Sequence, residues 1–149
     1  FRRVLFRSGR LIKEGGLAGT HCCGNADWDD LLDQATGLDI INFDATDEII
    51  VDKFVNARNI VSYLERGGCI AWGVVPTLKD KLEGATREGV TGTFHAVVKR
   101  LSGRGIAEDE ILARSIITPS CGTGTLPVEL AEKTMALLKG LSGTITGRN

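Results

Sequence analysis

The chain has 149 residues, is 42% hydrophobic and 25% charged, and carries a formal net charge of -1. That near-neutral balance leaves no electrostatic handle for nucleic acid or an anionic membrane, and no apolar run approaches the roughly 20 residues that a membrane-spanning helix needs. Four cysteines, two of them adjacent and with no recognisable leader, argue for a reducing compartment and for metal or redox chemistry rather than a disulfide framework. A soluble, cytoplasmic protein is expected.

The opening Phe1-Arg2-Arg3-Val4-Leu5-Phe6-Arg7-Ser8 lacks an initiating Met and resembles a translated adapter sequence, so residues 1–9 are read as non-native and the chain as a fragment. After a polar lead-in over 10–16, the first strand is expected over 17–23, ending at Gly24. Asn25 or Asp27 is the expected cap of a helix over 28–35, with Asp29 and Asp30 in its first turn, where the helix dipole favours negative charge. Residues 38–43 read as the second strand, delivering Asp44 at its C-terminal end. A loop with the apolar patch Ile49, Ile50, Val51 then leads to a helix in which Phe54, Ala57, Ile60, Val61 and Leu64 fall at helical spacing, stopped by Gly67-Gly68.

The third strand, 69–75, is continuously apolar, as a strand buried on both faces should be. Pro76 breaks it, and Thr77 with Asp80 resembles a capping box for a short helix over 78–82. The stripe Phe94, Val97, Val98, Leu101 marks the next helix, followed by a turn over 102–105 and a short helix over 107–113. Residues 115–118 are the fourth strand. The last helix is expected over 126–141, with Pro127 in its first turn and Ala131, Met135 and Leu138 facing inward, before a frayed tail over 142–149.

Four strand-then-helix units in succession define an α/β chain with a parallel sheet and right-handed crossovers. His21, Cys23, Asp44 and Cys121 all lie at or just beyond the C-terminal end of a strand, where both doubly wound sheets and eight-stranded barrels place their chemistry. No strand is followed by a dinucleotide or P-loop glycine pattern, and Gly122-Thr123-Gly124 reads as a tight turn into a helix before it reads as a phosphate loop.

Strand alternation sends His21 and Cys23 to one face and Cys22 to the other. A neutral imidazole and a thiolate suit zinc, with Cys121 as a third ligand and one position left open. The plainer reading is a packed strand end and an unrelated buried cysteine. Cys22 is either a packing residue or half of a vicinal redox pair with Cys23, and Asp44 either a ligand or a loop cap. Cys69 reads as a small buried hydrophobe, Trp72 as lining a mouth or packing on a helix, and His95 as a helix-surface residue.

The segments His21-x-Cys23, Leu38-Asp39-Ile40-Ile41-Asn42-Phe43-Asp44 and Thr118-Pro119-Ser120-Cys121-Gly122 resemble the C-terminal catalytic half of cobalamin-independent methionine synthase. They also resemble the wider superfamily with uroporphyrinogen decarboxylase and the corrinoid-dependent methyltransferases; the likeness spans 17–141. It implies the last four βα units of a TIM (β/α)8 barrel, its N-terminal half lying elsewhere in a full-length protein. It implies Zn2+ on His21, Cys23, Asp44 and Cys121, and transfer of a methyl group from a methyl donor to a small thiol. Alternatives within the same resemblance are corrinoid-linked methyl transfer and a non-catalytic fragment with structural zinc. Two positions depart from the family pattern: Asp44 stands where the family has Glu, and Val75-Pro76-Thr77 replaces a His after the third strand. The first and fourth strands would be about 14 Å apart along a flat sheet, so the ligands meet only if the sheet curves.

Overall fold

The computed structural model describes residues 14–146. The segment 1–9 and the final three residues of the expected tail lie outside these described residues. Four strands, β1 (Gly19–Cys22), β2 (Ile40–Asp44), β3 (Cys69–Val75) and β4 (Ser115–Pro119), form one parallel sheet in the order β1-β2-β3-β4. Each connection returns to the neighbouring strand, without the reversal of order that a doubly wound sheet contains. The protein is an α/β chain built on this sheet.

Local chemistry explains the element boundaries. Asp27 caps α1 (Trp28–Leu31) by accepting from the Asp30 backbone N–H at 3.1 Å, and a short 3-10 turn (Gln34–Thr36) completes what the sequence suggested as one longer helix. Asp47 Oδ1 accepts from the backbone N–H groups of Ile49 and Ile50 at 2.9 and 3.2 Å. The apolar patch expected in a loop therefore opens α2 (Glu48–Val55), which breaks at Asn56 before α3 (Ile60–Glu65). Gly67, at φ 99, turns the chain into β3, a conformation that costs a side-chain-bearing residue far more than glycine.

The expected capping box at Thr77 does not form: α4 (Lys79–Glu83) starts after Leu78 with no side-chain cap, because Thr77 is bonded elsewhere. Thr86 caps α5 (Arg87–Ser102) by accepting from Gly89 N, and α6 (Glu108–Ala113) precedes β4. The final helix, α7 (Val128–Thr146), runs past residue 141, and its buried residues are Thr134, Leu137 and Leu141. Met135, expected to face inward, is 52% exposed. Among the described residues no helix is long and apolar enough to cross a membrane.

The core lies between the sheet and the helices. Phe43 on β2 stacks on Phe54 of α2 at 4.1 Å and meets Trp28 and Trp72 edge-on at 5.8 and 5.7 Å; Phe94 of α5 closes the row against Trp72 at 6.2 Å. Fully burying each such side chain contributes about 1.5–3 kcal/mol. Trp72 is on this side, its Nε1 donating to Ser115 Oγ at 2.8 Å, so it packs against helices. Ile41 and Phe43 are buried while Ile40, Asn42 and Asp44 are half-buried, an alternation that puts the polar Asn42 and Asp44 on the opposite face of the sheet.

Candidate metal centre

On that opposite face the sequence-expected ligands converge. One ligand atom each from His21, Cys23 and Cys121 lies within 4.8 Å of the others, and all three residues are exposed. Tetrahedral zinc with ligands at 2.0–2.3 Å holds its donors about 3.5–3.8 Å apart, so this trio is within about an ångström of a coordinating arrangement. The donor set, one imidazole and two thiols, is the borderline-soft combination that zinc takes.

Cys121 reaches β1 from the far side of the sheet because the chain after β4 folds over β3. Gly73 makes this possible: a Cβ there would stand 2.4 Å from Phe43 O and 2.8 Å from Ser120 Cα, distances no side chain tolerates. The β3–β4 register shifts between Gly73 and Val75 at the same place. Ser120, 3% exposed, is then pinned. Its N–H donates to Val75 O at 2.8 Å, and its Oγ lies 3.2 Å from Thr77 N and 3.1 Å from Thr77 Oγ1. The residue next to Cys121 is thus held by the loop after β3, which explains why Thr77 does not cap α4.

His21 is paired in register with Asn42, and its Nδ1 is hydrogen-bonded to Asn42 Oδ1. Asn42 Nδ2 in turn donates to Ala71 O at 2.7 Å and to Thr118 Oγ1 at 2.8 Å, so one amide touches all three other strands under the ligand cluster. The Cys23 thiol is held above its ordinary range, first by its hydrogen bond with Cys121, then by the negative charge of a Cys121 thiolate, and less by burial. Metal binding must therefore displace a proton that the metal-free pair retains.

Asp44 is not part of the group. Its Oδ1 accepts from the Thr46 backbone N–H at 2.8 Å and from Thr46 Oγ1 at 2.7 Å, the loop-capping role. Cys22 is half-buried against the core, its Sγ 3.4 Å from Gly24 O. Cys69 is half-exposed at the start of β3, and His95 is exposed on α5 beside Phe94. The Gly122–Gly124 stretch is a turn: Leu126 N donates to Thr123 O at 3.0 Å on the way into α7. A cleft of about 310 Å³ opens beside His21, lined by Thr20, Cys22, Asn25, Asp27 and Leu31 among others.

Sequence reasoning passed over Asn42, Gly73 and Ser120. Asn42 carried a usable signal, because asparagine is depleted from strand interiors and here alternates with Ile41 and Phe43. Gly73 inside an apolar strand was a second, since such a glycine often marks a bulge or a close backbone approach. No protein-family model matches the chain, and neither does any curated protein or solved structure.

Proposed function

We propose that this chain is the C-terminal half, four βα units, of a zinc-dependent methyltransferase barrel that transfers a methyl group to a small thiol. The observation that carries the reading is the meeting of His21, Cys23 and Cys121 from opposite ends of a four-stranded parallel sheet. Such a meeting is what the curvature of a barrel wall would favour, and the sequential strand order suits a barrel.

Zinc, when bound, would make an incoming thiol a thiolate at neutral pH, which a free thiol with its pKa near 8.5 is not. The chain's own part is to hold the metal with three donors and to leave a fourth position open to solvent. That open position distinguishes a catalytic arrangement from a closed structural one, and the exposure of all three donors supports it. Asp44 lies outside the trio, its Oδ1 engaged with Thr46, so the fourth position is left to an incoming sulfur. The cleft beside His21 is of a size for a small molecule. The methyl donor would be placed by groups on the other half of the barrel.

X-ray absorption at the zinc edge tests the reading. The zinc-loaded protein should show a shell of one nitrogen and two sulfurs from the protein, and gain a sulfur neighbour when a small alkyl thiol is added. A shell that thiol leaves unchanged would mean structural zinc without turnover, and failure to load zinc would end the metal reading altogether.

A further inference from the structure

The hydrogen bonds around Asn42 decide more than where His21 sits. The Ala71 carbonyl accepts and cannot donate, so the Asn42 atom 2.7 Å from it must be the NH2 group, and its second N–H is directed to Thr118 Oγ1 at 2.8 Å. This fixes the side-chain amide against a flip: exchanging its ends would set oxygen against oxygen at Ala71 and forfeit a bond. The Asn42 oxygen is therefore the end that faces His21, and a carbonyl oxygen can only accept. The proton between the two residues must come from His21 Nδ1.

From this chain of donors and acceptors we infer that Asn42 is a positioning residue for the metal centre. It holds His21 in the Nδ1–H tautomer, so that Nε2 is the nitrogen with the free lone pair and the atom offered to a metal. The inference rests on the zinc reading only for its consequence and not for its geometry. A neutral imidazole has one ring N–H, and which nitrogen carries it is set by the partner of the other. Metal-binding histidines are oriented in this way by carboxylates or carbonyls, and loss of such a partner typically weakens binding by about 10–100-fold. Here the partner is itself anchored to β3 and β4, the strands that lead to Cys121. Asn42 thereby ties the orientation of one ligand to the strand that delivers another. Thr118, which takes the second N–H of Asn42, stands three residues before Cys121.

The protein has two histidines, and exposed His95 serves as an internal control for His21. Nitrogen-15 spectroscopy of the neutral imidazoles in the metal-free full chain reads the tautomer directly. His21 should show a proton-bearing Nδ1 and a bare Nε2, while His95 shows the mixture of an unconstrained side chain. In Asn42→Ala, His21 should revert to a mixture like that of His95, and zinc affinity, read by competition with a chromogenic chelator, should fall about 10–100-fold. Asn42→Asp keeps an acceptor toward Nδ1 and should keep the tautomer, so it separates orientation of His21 from the mere presence of an amide. Thr118→Val should leave the tautomer in place.

A proton on Nε2 in the wild-type chain overturns the inference, and so does an unchanged tautomer in a folded Asn42→Ala variant. The tautomer is read without metal, so if the wild-type chain takes up no zinc the proposed function fails while the orientation of His21 is still decided. If Asn42→Ala does not fold, the wild-type spectrum alone decides.

Discussion

The two faces of the sheet are made by alternate residues of the same short strands and differ in almost every respect. Toward the helices stand Ile41, Phe43, Ile70 and Trp72, each 0% exposed and locked among Trp28, Phe54 and Phe94. Toward the other side stand His21, Asn42, Asp44, Ala71, Gly73 and Thr118, which are polar or small, and of these His21, Asn42, Ala71 and Thr118 are joined by hydrogen bonds. The period of two lets one strand serve both purposes without compromise, because neither face needs the other's residues. The helix side sets stability, and the opposite side carries the His21, Cys23 and Cys121 cluster. Substitutions on the two faces should therefore separate cleanly in what they change.

The largest stability loss should come from the helix side. Phe43→Ala removes the ring stacked on Phe54 and should cost about 4 kcal/mol in denaturant unfolding. A smaller loss should follow at the one place where both faces meet. Gly73→Ala forces a Cβ against Phe43 O and Ser120 Cα and should cost about 3 kcal/mol. It should also weaken zinc binding, because the Cys121 loop can no longer lie across β3; a variant that loses stability but keeps full zinc affinity would detach Gly73 from the site. Asp44→Ala comes next, on the open face: loss of the two bonds to Thr46 should cost about 1 kcal/mol and leave zinc content intact. Zinc loss in that variant would restore Asp44 as a ligand.

The smallest effect concerns pH. Burial holds the Tyr63 hydroxyl far above its ordinary range near 10, with Cys69 adding to the shift, and the hydroxyl lies 2.9 Å from both Asp39 O and Cys69 O. The folded chain keeps a proton that the unfolded chain releases. The contribution is therefore complete below about pH 10 and lost as pH climbs beyond it. Tyr63→Phe should lower neutral-pH stability by about 1 kcal/mol and flatten the alkaline decline. An equally steep decline in the variant would assign it to other groups.

Most of the architecture was legible in the sequence because it is written in local terms. The run Cys69 to Val75 matches the third strand residue for residue, and the stripe through Phe94 and Val98 marks the longest buried helix face. What escaped was chemistry between segments. Asp47 turned an apolar loop into α2 by bonding Ile49 and Ile50, and Ser120 drew Thr77 away from α4 across an interval that no local pattern spans. On α7 Leu138 packs against the core as expected, but Thr134 faces it in place of Met135, its hydroxyl satisfied by donating to Leu130 O at 2.9 Å. At the site, the types and strand positions of His21, Cys23 and Cys121 suggested ligands, whereas the amide of Asn42 gains its meaning only from partners on three other strands.

The central claim is that these three side chains form a metal centre on the open face, independent of the core. Zinc titration of the metal-free wild-type chain and of Cys121→Ser, with thermal unfolding of both followed in parallel, tests it most directly. The account predicts one tightly held zinc in the wild type, a loss of affinity of at least about 100-fold in the variant, and closely similar unfolding of the two metal-free proteins. Undiminished zinc binding by Cys121→Ser, or no binding by the wild type, would contradict it.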